Sequence, residues 1–289
     1  MALIDREFDA FLRLVVRAVE PYLPDMVIVG GCANALYRHH PLATESLIAR
    51  PGTRDLDVAC PTRLIGHGRR PLMDLLRAAG LEIHHYGHAQ PPIIKFTSKN
   101  TPDGVDLEFL CPRKGSGQDR RGDETIAVEI EGSGLTAQAL RYLDLLLIAP
   151  WEISLRRVPG FEAVSALPPV RIANPLAYLV QKVLARDEQG RPTAKQEKDC
   201  YYIYEVSVVF RDVLDRVAGA MPEIEAKCPA AWKRRFVKTI QRLFASPQAE
   251  GPVSAVRVGR AAREGDPRAP EVNEVMIHAA VSRLVEAVR

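Results

Sequence analysis

The chain has 289 residues, enough for one large or two modest domains, and its 47% hydrophobic and 26% charged residues are typical of a globular protein. Five widely spaced cysteines without a C-x-x-C pair argue against a disulfide framework or a zinc ribbon, and we expect a reducing, cytoplasmic location. The net charge of +3 is too small to require a polyanionic partner, and no apolar run reaches the roughly 20 residues of a membrane span.

The first half of the chain alternates helical and strand patterns. Apolar residues recur at helical spacing over residues 5–20, and an apolar run over residues 26–29 predicts a buried strand that ends at Gly30-Gly31. A short helix over residues 33–40 follows. The other predicted elements of this half are a helix over 71–80 and strands over 54–58, 81–85, 92–97, 105–110, 125–130, 145–148 and 153–158. This half is therefore predicted to be mixed α/β.

The composition changes at Asn174-Pro175, where asparagine suits a helix N-cap and proline suits the first helical position. Most of the chain beyond this point has helical patterning. Helices are predicted over 175–187, 193–213, 222–244 and 271–288, and a long loop over the Gly-, Pro- and Arg-rich residues 248–270. We expect one domain over residues 1–173 and a helical domain over residues 174–289.

The first candidate for chemistry is Gly30-Gly31, between a predicted strand and a predicted helix. Glycines let the backbone approach a ligand closely, and a helix N-terminus attracts anions, so this segment suits a phosphate. A purely structural turn is the alternative explanation.

The second candidate is a set of carboxylates on two predicted strands. Asp55 and Asp57 lie two residues apart, as do Asp106 and Glu108, so each pair shares one face of its strand. Neighbouring carboxylates repel one another unless a cation lies between them, and oxygen ligands suit Mg²⁺ or Mn²⁺. If the two strands are neighbours, three or four acids converge as a metal site requires; solvated acidic strand faces are the alternative.

This order of elements resembles the nucleotidyltransferase fold of the DNA polymerase beta superfamily. The resemblance implies a mixed twisted sheet flanked by helices, with Gly30 and Gly31 near phosphates and Asp55, Asp57 and a third acid as metal ligands. That third acid is Asp106, with Glu108 as the runner-up. Many members have serine where this chain has Gly31, so a hydroxyl often directed at phosphate is missing here.

The second half of the chain is similar to the nucleotidyltransferase toxins of abortive-infection toxin–antitoxin systems. The resemblance assigns Lys182, Arg186 and Lys198 to nucleotide binding and Asp199 to positioning or deprotonating an acceptor. The chain departs from the toxin pattern at Tyr202, where a second aspartate is common. For Arg186 the alternative is a solvated basic helix face, and the same alternative applies to Lys195.

The resemblance implies a Mg- or Mn-dependent enzyme that transfers a nucleoside monophosphate from a nucleoside triphosphate to a hydroxyl and releases pyrophosphate. We expect the nucleotide to lie between the two domains. The acceptor classes are RNA such as tRNA, a protein, or a small molecule, and an antitoxin-like partner is a further expectation. The competing hypotheses are a non-catalytic nucleotide-binding or interaction module with the same fold and, with less sequence support, a nucleic-acid-binding protein.

Overall fold

The computed structural model describes residues 6–65, 70–86, 92–98, 105–113, 127–161, 168–186 and 191–289. Contacts between Cα atoms divide the chain into two compact units, Met1–Leu36 with Thr53–Ala173 and Tyr37–Gly52 with Asn174–Arg289. Residues 37–52, which precede the predicted boundary, thus group with the second unit. In the described parts of the chain, no helix has the length and apolarity needed to cross a membrane.

The first unit is built on one mixed sheet. Its strands are β1 (Val27–Ile28), β2 (Asp55–Ala59), β3 (Leu81–Tyr86), β4 (Ile93–Ser98), β5 (Asp106–Pro112), β6 (Ala127–Ile130), β7 (Leu135–Leu140), β8 (Trp151–Ile153) and β9 (Val170–Ile172). The strand order is β3-β4-β5-β2-β1-β9-β8, with β7 beside the C-terminal part of β5 and β6 beside β7. The β2–β5, β5–β7 and β1–β9 pairs are parallel and the other pairs are antiparallel.

Helix α1 (Arg6–Ala18) covers one face of this sheet. Its buried residues Leu12 and Val15 line a small apolar cavity together with Leu56 and Val58 of β2. Because successive strand residues point to opposite faces, the acidic residues of β2 lie on the face away from α1. Burying the apolar side chains of α1 contributes about 1.5–3 kcal/mol for each large aliphatic residue. Two further α-helices, α2 (Gly30–Tyr37) and α3 (Leu72–Ala78), and a 3₁₀ helix at Glu20–Asp25 complete the described helices of residues 6–86.

The second unit is helical. Its helices are α4 (Pro175–Ala185), α5 (Thr193–Val209), α6 (Leu214–Ala218), α7 (Met221–Lys227), α8 (Ala230–Leu243), α9 (Glu250–Gly265) and α10 (Glu274–Ala287). The side chain of Asn174 accepts a hydrogen bond from the backbone N–H of Leu176 at 2.9 Å, and Pro175 occupies the first turn of α4. The start predicted for this helix is confirmed, as is the mixed α/β fold with a helical C-terminal region.

The largest difference from the sequence prediction lies in residues 248–270, which were predicted to be a loop but contain helix α9 (Glu250–Gly265). Helix α9 packs against α5 and α10. A Cβ atom at Gly259 would lie 2.7 Å from Val272 and 2.9 Å from Tyr201, so this glycine allows close helix packing. Pro252 lies in the first turn of the helix, where the missing N–H has no intrahelical partner to lose. Tertiary packing therefore overrides the weak helix propensity of the segment.

Other differences are smaller. The predicted helix over residues 222–244 is interrupted at Cys228 and Pro229, because proline cannot donate the next helical hydrogen bond. The strands predicted over 145–148 and 153–158 are replaced largely by 3₁₀ helices at Leu143–Leu147 and Leu155–Arg157. Strands β7 and β9 were not predicted. The start of the strand predicted over 125–130 and the turn of the β4–β5 hairpin, residues 99–104, lie outside the described residues.

Candidate metal and phosphate site

The two acid-bearing strands lie side by side. Strands β2 and β5 are parallel, and their register places Asp55 opposite Asp106 and Asp57 opposite Glu108. The residues between these acids, Leu56 in β2 and Leu107 in β5, are buried on the other face. All four carboxylates therefore emerge from one face of the sheet.

Three of these carboxylates form a tight group. One carboxylate oxygen from each of Asp55, Asp106 and Glu108 lies within 4.8 Å of the others. Opposite ligands of a six-coordinate Mg²⁺ are about 4 Å apart, since each Mg–O bond is about 2.1 Å. Small side-chain movements would bring these oxygens to a shared ion, so the group could bind a metal. Asp55 is exposed, whereas Asp106 and Glu108 are half-buried, so the site has an open side.

Asp57 has a different neighbour, the first residue of α2. Gly30 has a φ of +61°, and a Cβ atom built on it would lie 3.0 Å from Cγ of Asp57 and overlap its Oδ2 atom. The backbone N–H of Val29 also donates to the carbonyl oxygen of Asp57 at 2.9 Å. The carboxylate of Asp57 thus lies against the N-terminal turn of α2, where the helix dipole favours negative charge.

The acidic group also contains a cation that the sequence analysis missed. Lys95 of β4 is paired directly with Glu108 in the antiparallel register. Its Nζ atom contacts Glu108 Oε1 and lies 3.7 Å from Asp106 Oδ2. The predicted β4–β5 hairpin contained the signal, because a lysine at this position faces the acids if the two strands are adjacent.

A second polar cluster lies within the second unit, around Asp199 of α5. The Asp199 side chain is only 4% exposed and has Lys182 Nζ at 3.3 Å from Oδ1. Its Oδ2 atom accepts hydrogen bonds from the guanidinium of Arg191, from Nε at 3.1 Å and from Nη2. Arg191 was missed by the sequence analysis because its contact with Asp199 depends on the placement of the backbone just before α5. These contacts favour an ion-pairing role for Asp199 over the role of a free base.

Two tyrosine rings lie beneath the lysines of this cluster. Lys182 Nζ is 5.1 Å from the ring centre of Tyr178 and 5.7 Å from that of Tyr202, and Lys198 Nζ is also 5.7 Å from the Tyr202 ring. Such cation–π contacts stabilise and orient an ammonium group. Burial, the main cause, raises the pKa of Tyr178 well above its ordinary value, so the phenol stays neutral. Tyr202 thus contributes a ring to this cluster.

The remaining predicted nucleotide ligands have other contacts. Arg186 is 5% exposed; its guanidinium contacts Glu250 and donates to the carbonyl oxygen of Gln196 at 2.6 Å. These contacts favour a structural role for Arg186. Lys198 Nζ donates to the carbonyl oxygen of Gly52 at 2.7 Å, and Lys195 is exposed.

The cysteines near these clusters are not poised for nucleophilic chemistry. Burial raises the pKa of the Cys32 thiol far above its ordinary range, and the negative charge of nearby Asp57 raises this pKa further. Burial likewise raises the pKa of Cys200 to about 12, while Arg186 opposes this shift. Both thiols are therefore protonated and unreactive near neutral pH.

Carboxylates that converge beside a helix N-terminus are typical of proteins that bind a divalent ion together with a phosphate. A family model described as nucleotidyltransferase (NTP_transf_8) matches residues 15–223 of the chain. This match covers well over half of the 289 residues, and the chain belongs to this nucleotidyltransferase family.

No curated protein matches the chain. Among solved structures, the crystal structure of JHP933 from Helicobacter pylori is similar with a TM-score of 0.35 and 14% sequence identity, and the alignment covers 99% of this chain and 97% of that one.

Proposed function

We propose that the protein is a Mg- or Mn-dependent nucleotidyltransferase that transfers a nucleoside monophosphate from a nucleoside triphosphate to a hydroxyl acceptor and releases pyrophosphate. The observation that supports this most directly is the close approach of Asp55 and Asp106, beside Glu108, with carboxylate oxygens within 4.8 Å of one another, in a chain of this family. The proposal extends the family assignment to the cofactor and the reaction.

In this proposal Asp55 and Asp106 hold the ion, and Asp57 joins them from the same face of the sheet. A bound divalent ion would neutralise phosphate charge and lower the pKa of the attacking hydroxyl. Gly30 and Gly31 let the phosphates approach the N-terminal turn of α2, where backbone N–H groups stabilise negative charge. Positioning and charge neutralisation supply most of the rate in phosphoryl transfer.

Within the second unit, Lys182 and Lys198 keep the proposed role of phosphate ligands. The support is that each ammonium is held over a tyrosine ring and that Lys182 is also paired with Asp199. We propose that Asp199 positions Lys182 and is not the base that deprotonates the acceptor. Arg186 is proposed to support the helices through Glu250.

The resemblance to the nucleotidyltransferase toxins supports two narrower proposals. The first is that the acceptor is a hydroxyl of RNA such as tRNA, of a protein or of a small molecule. The second is that an antitoxin-like partner binds the protein. Transfer of an α-labelled nucleotide into each acceptor class, with all four nucleoside triphosphates, tests the first proposal. Co-purification of a partner that inhibits the transfer tests the second.

The reaction itself is tested by pyrophosphate release in cell extract with Mg²⁺ or Mn²⁺, before and after chelation. We expect Asp55→Ala and Asp57→Ala to abolish release while circular dichroism shows an intact fold. Glu131→Gln is the matched control, because Glu131 is 69% exposed and its replacement removes a carboxylate from the same unit. Full activity in the Asp55→Ala/Asp57→Ala double variant would refute the site. Tight binding of metal and nucleotide without pyrophosphate release would instead support the non-catalytic module.

A further inference from the structure

Lys95 lies on the face of β4 that meets the acids, and it contacts them unequally. Its Nζ atom contacts Glu108, its direct cross-strand partner, and lies 3.7 Å from Asp106. The three side chains are 13–22% exposed. Charges in such a half-buried position interact more strongly than charges in open solvent. Lys95 is therefore a built-in counter-ion for this acidic group.

These contacts distinguish Glu108 from Asp106 as metal ligands. Glu108 is engaged by Lys95, whereas Asp106 is directly opposite Asp55 in the parallel β2–β5 register. A carboxylate whose oxygen is paired with an ammonium is a poorer metal ligand, because the ammonium and the ion compete for the same negative charge. Asp106 Oδ2 is farther from the ammonium, at 3.7 Å, so Asp106 is better placed than Glu108 to share an ion with Asp55.

We propose that Lys95 is a positioning and specificity-determining residue that holds Glu108 out of the metal's ligand set and selects the metal–nucleotide complex over the free ion. This inference rests on the proposed function. The ammonium repels a bare divalent cation, but it attracts a metal–nucleoside triphosphate complex, whose net charge is negative. The single ammonium lowers the net negative charge of the four carboxylates, and in this proposal the site is filled when the metal arrives with its nucleotide.

The test is the binding of Mn²⁺ to the full-length, nucleotide-free protein, measured by calorimetry and by electron paramagnetic resonance. Lys95→Met removes the charge and keeps the length of the side chain, so we expect at least tenfold tighter binding of Mn²⁺. Lys95→Arg should keep the affinity of the wild-type protein. Arg63→Met is the matched control, because it removes a positive charge whose side chain is 74% exposed. Arg63 lies beyond the C-terminal end of β2, whereas Asp55 lies at the N-terminal end of that strand.

The acids supply the second part of the test. Asp106→Asn should abolish Mn²⁺ binding, whereas Glu108→Gln should change the affinity less than threefold in the wild-type background. In the Lys95→Met background, Glu108→Gln should return the affinity toward the wild-type value, since the released carboxylate would otherwise become a ligand. In steady-state transfer assays Lys95→Met should raise the KM for the Mn–nucleotide complex, the opposite of its effect on the free ion.

The outcomes separate this inference from the function on which it rests. Unchanged Mn²⁺ affinity in Lys95→Met, in a protein whose wild-type form binds Mn²⁺ and transfers nucleotide, would overturn the role of Lys95 alone. A loss of binding in Glu108→Gln as large as that in Asp106→Asn would also overturn it. If neither the wild-type protein nor Lys95→Met binds Mn²⁺, with or without nucleotide, the proposed function fails together with the inference.

Discussion

Replacing Gly30 with alanine perturbs the point where α2 begins against the acid-bearing strand. Gly30 has a φ of +61°, and an added Cβ atom would overlap Oδ2 of Asp57. The substitution therefore strains the backbone and displaces a proposed metal ligand with a single methyl group. Gly31→Ala is the matched control for the stability measurement alone, since Gly31 lies in the same helix and its φ is not positive, but it is itself a proposed phosphate contact.

The loss of stability expected for Gly30→Ala has two contributions. A left-handed conformation costs an alanine about 1–2 kcal/mol relative to glycine. Displacing the Asp57 carboxylate adds about 1–3 kcal/mol, the usual cost of an overpacked site. We therefore expect Gly30→Ala to lower the free energy of unfolding by about 2–5 kcal/mol. Because a ligand misplaced by about 1 Å can cost roughly a hundredfold in rate, kcat/KM for nucleotide transfer should fall by about that factor or more.

Urea unfolding and pyrophosphate release measure the two effects separately. Gly31→Ala should leave the free energy of unfolding unchanged or raise it, because alanine favours a helix over glycine by about 1 kcal/mol. In the Asp57→Ala background, Gly30→Ala should lower the free energy of unfolding only by the backbone contribution of about 1–2 kcal/mol, since the overlapping carboxylate is gone. If the stability changes in this double-mutant cycle were strictly additive, the overlap between residue 30 and Asp57 would not be the cause of the extra destabilisation.

Two further substitutions test the second unit. Lys182→Met should raise the KM for the nucleoside triphosphate about tenfold or more, because a hydrogen bond to a charged group contributes about 1.5–3 kcal/mol. Lys195→Met is the control and should leave this KM unchanged, because Lys195 is exposed. Glu205→Gln should lower the free energy of unfolding by about 3 kcal/mol, since Glu205 is 1% exposed and pairs with Arg38, whose half-buried guanidinium would lose its carboxylate. Glu225→Gln, in a pair that is 36–40% exposed, should cost less than about 1 kcal/mol.

Two outcomes would contradict the predictions for Lys182 and Glu205. Equal KM values for Lys182→Met and the wild-type protein, with steady-state kinetics otherwise intact, would remove Lys182 from the phosphate ligands. Equal losses of unfolding free energy for Glu205→Gln and Glu225→Gln would mean that burial of the Arg38–Glu205 pair has no energetic consequence. Arg38 also donates to the carbonyl oxygen of Ile48 at 2.9 Å, so its misplacement should be visible as faster hydrogen exchange around residue 48.

Several features of the fold could be predicted from the sequence because their causes are local. Asn174 and Pro175 start α4 with a side-chain cap and a restricted φ, and both effects act within three residues. The alternation around Asp55 and Asp57 predicted a strand with acids on one face, because side-chain direction in a strand has a period of two. Helix α9 was missed because the reason for its central glycine, Gly259, is close packing against Val272 and against Tyr201 of α5, which local sequence patterns do not show.

The sequence by itself thus determined which residues are acidic, which face of its own strand each one occupies, and where glycine permits close approach. Only the tertiary structure decided that Asp106 lies opposite Asp55, that Asp57 lies against Gly30, and that Lys95 engages Glu108. The physical reason is that side-chain direction follows from local backbone geometry, whereas strand pairing and register result from burying distant apolar residues together. A metal site is a property of that pairing, since no single strand can place three carboxylates around one ion.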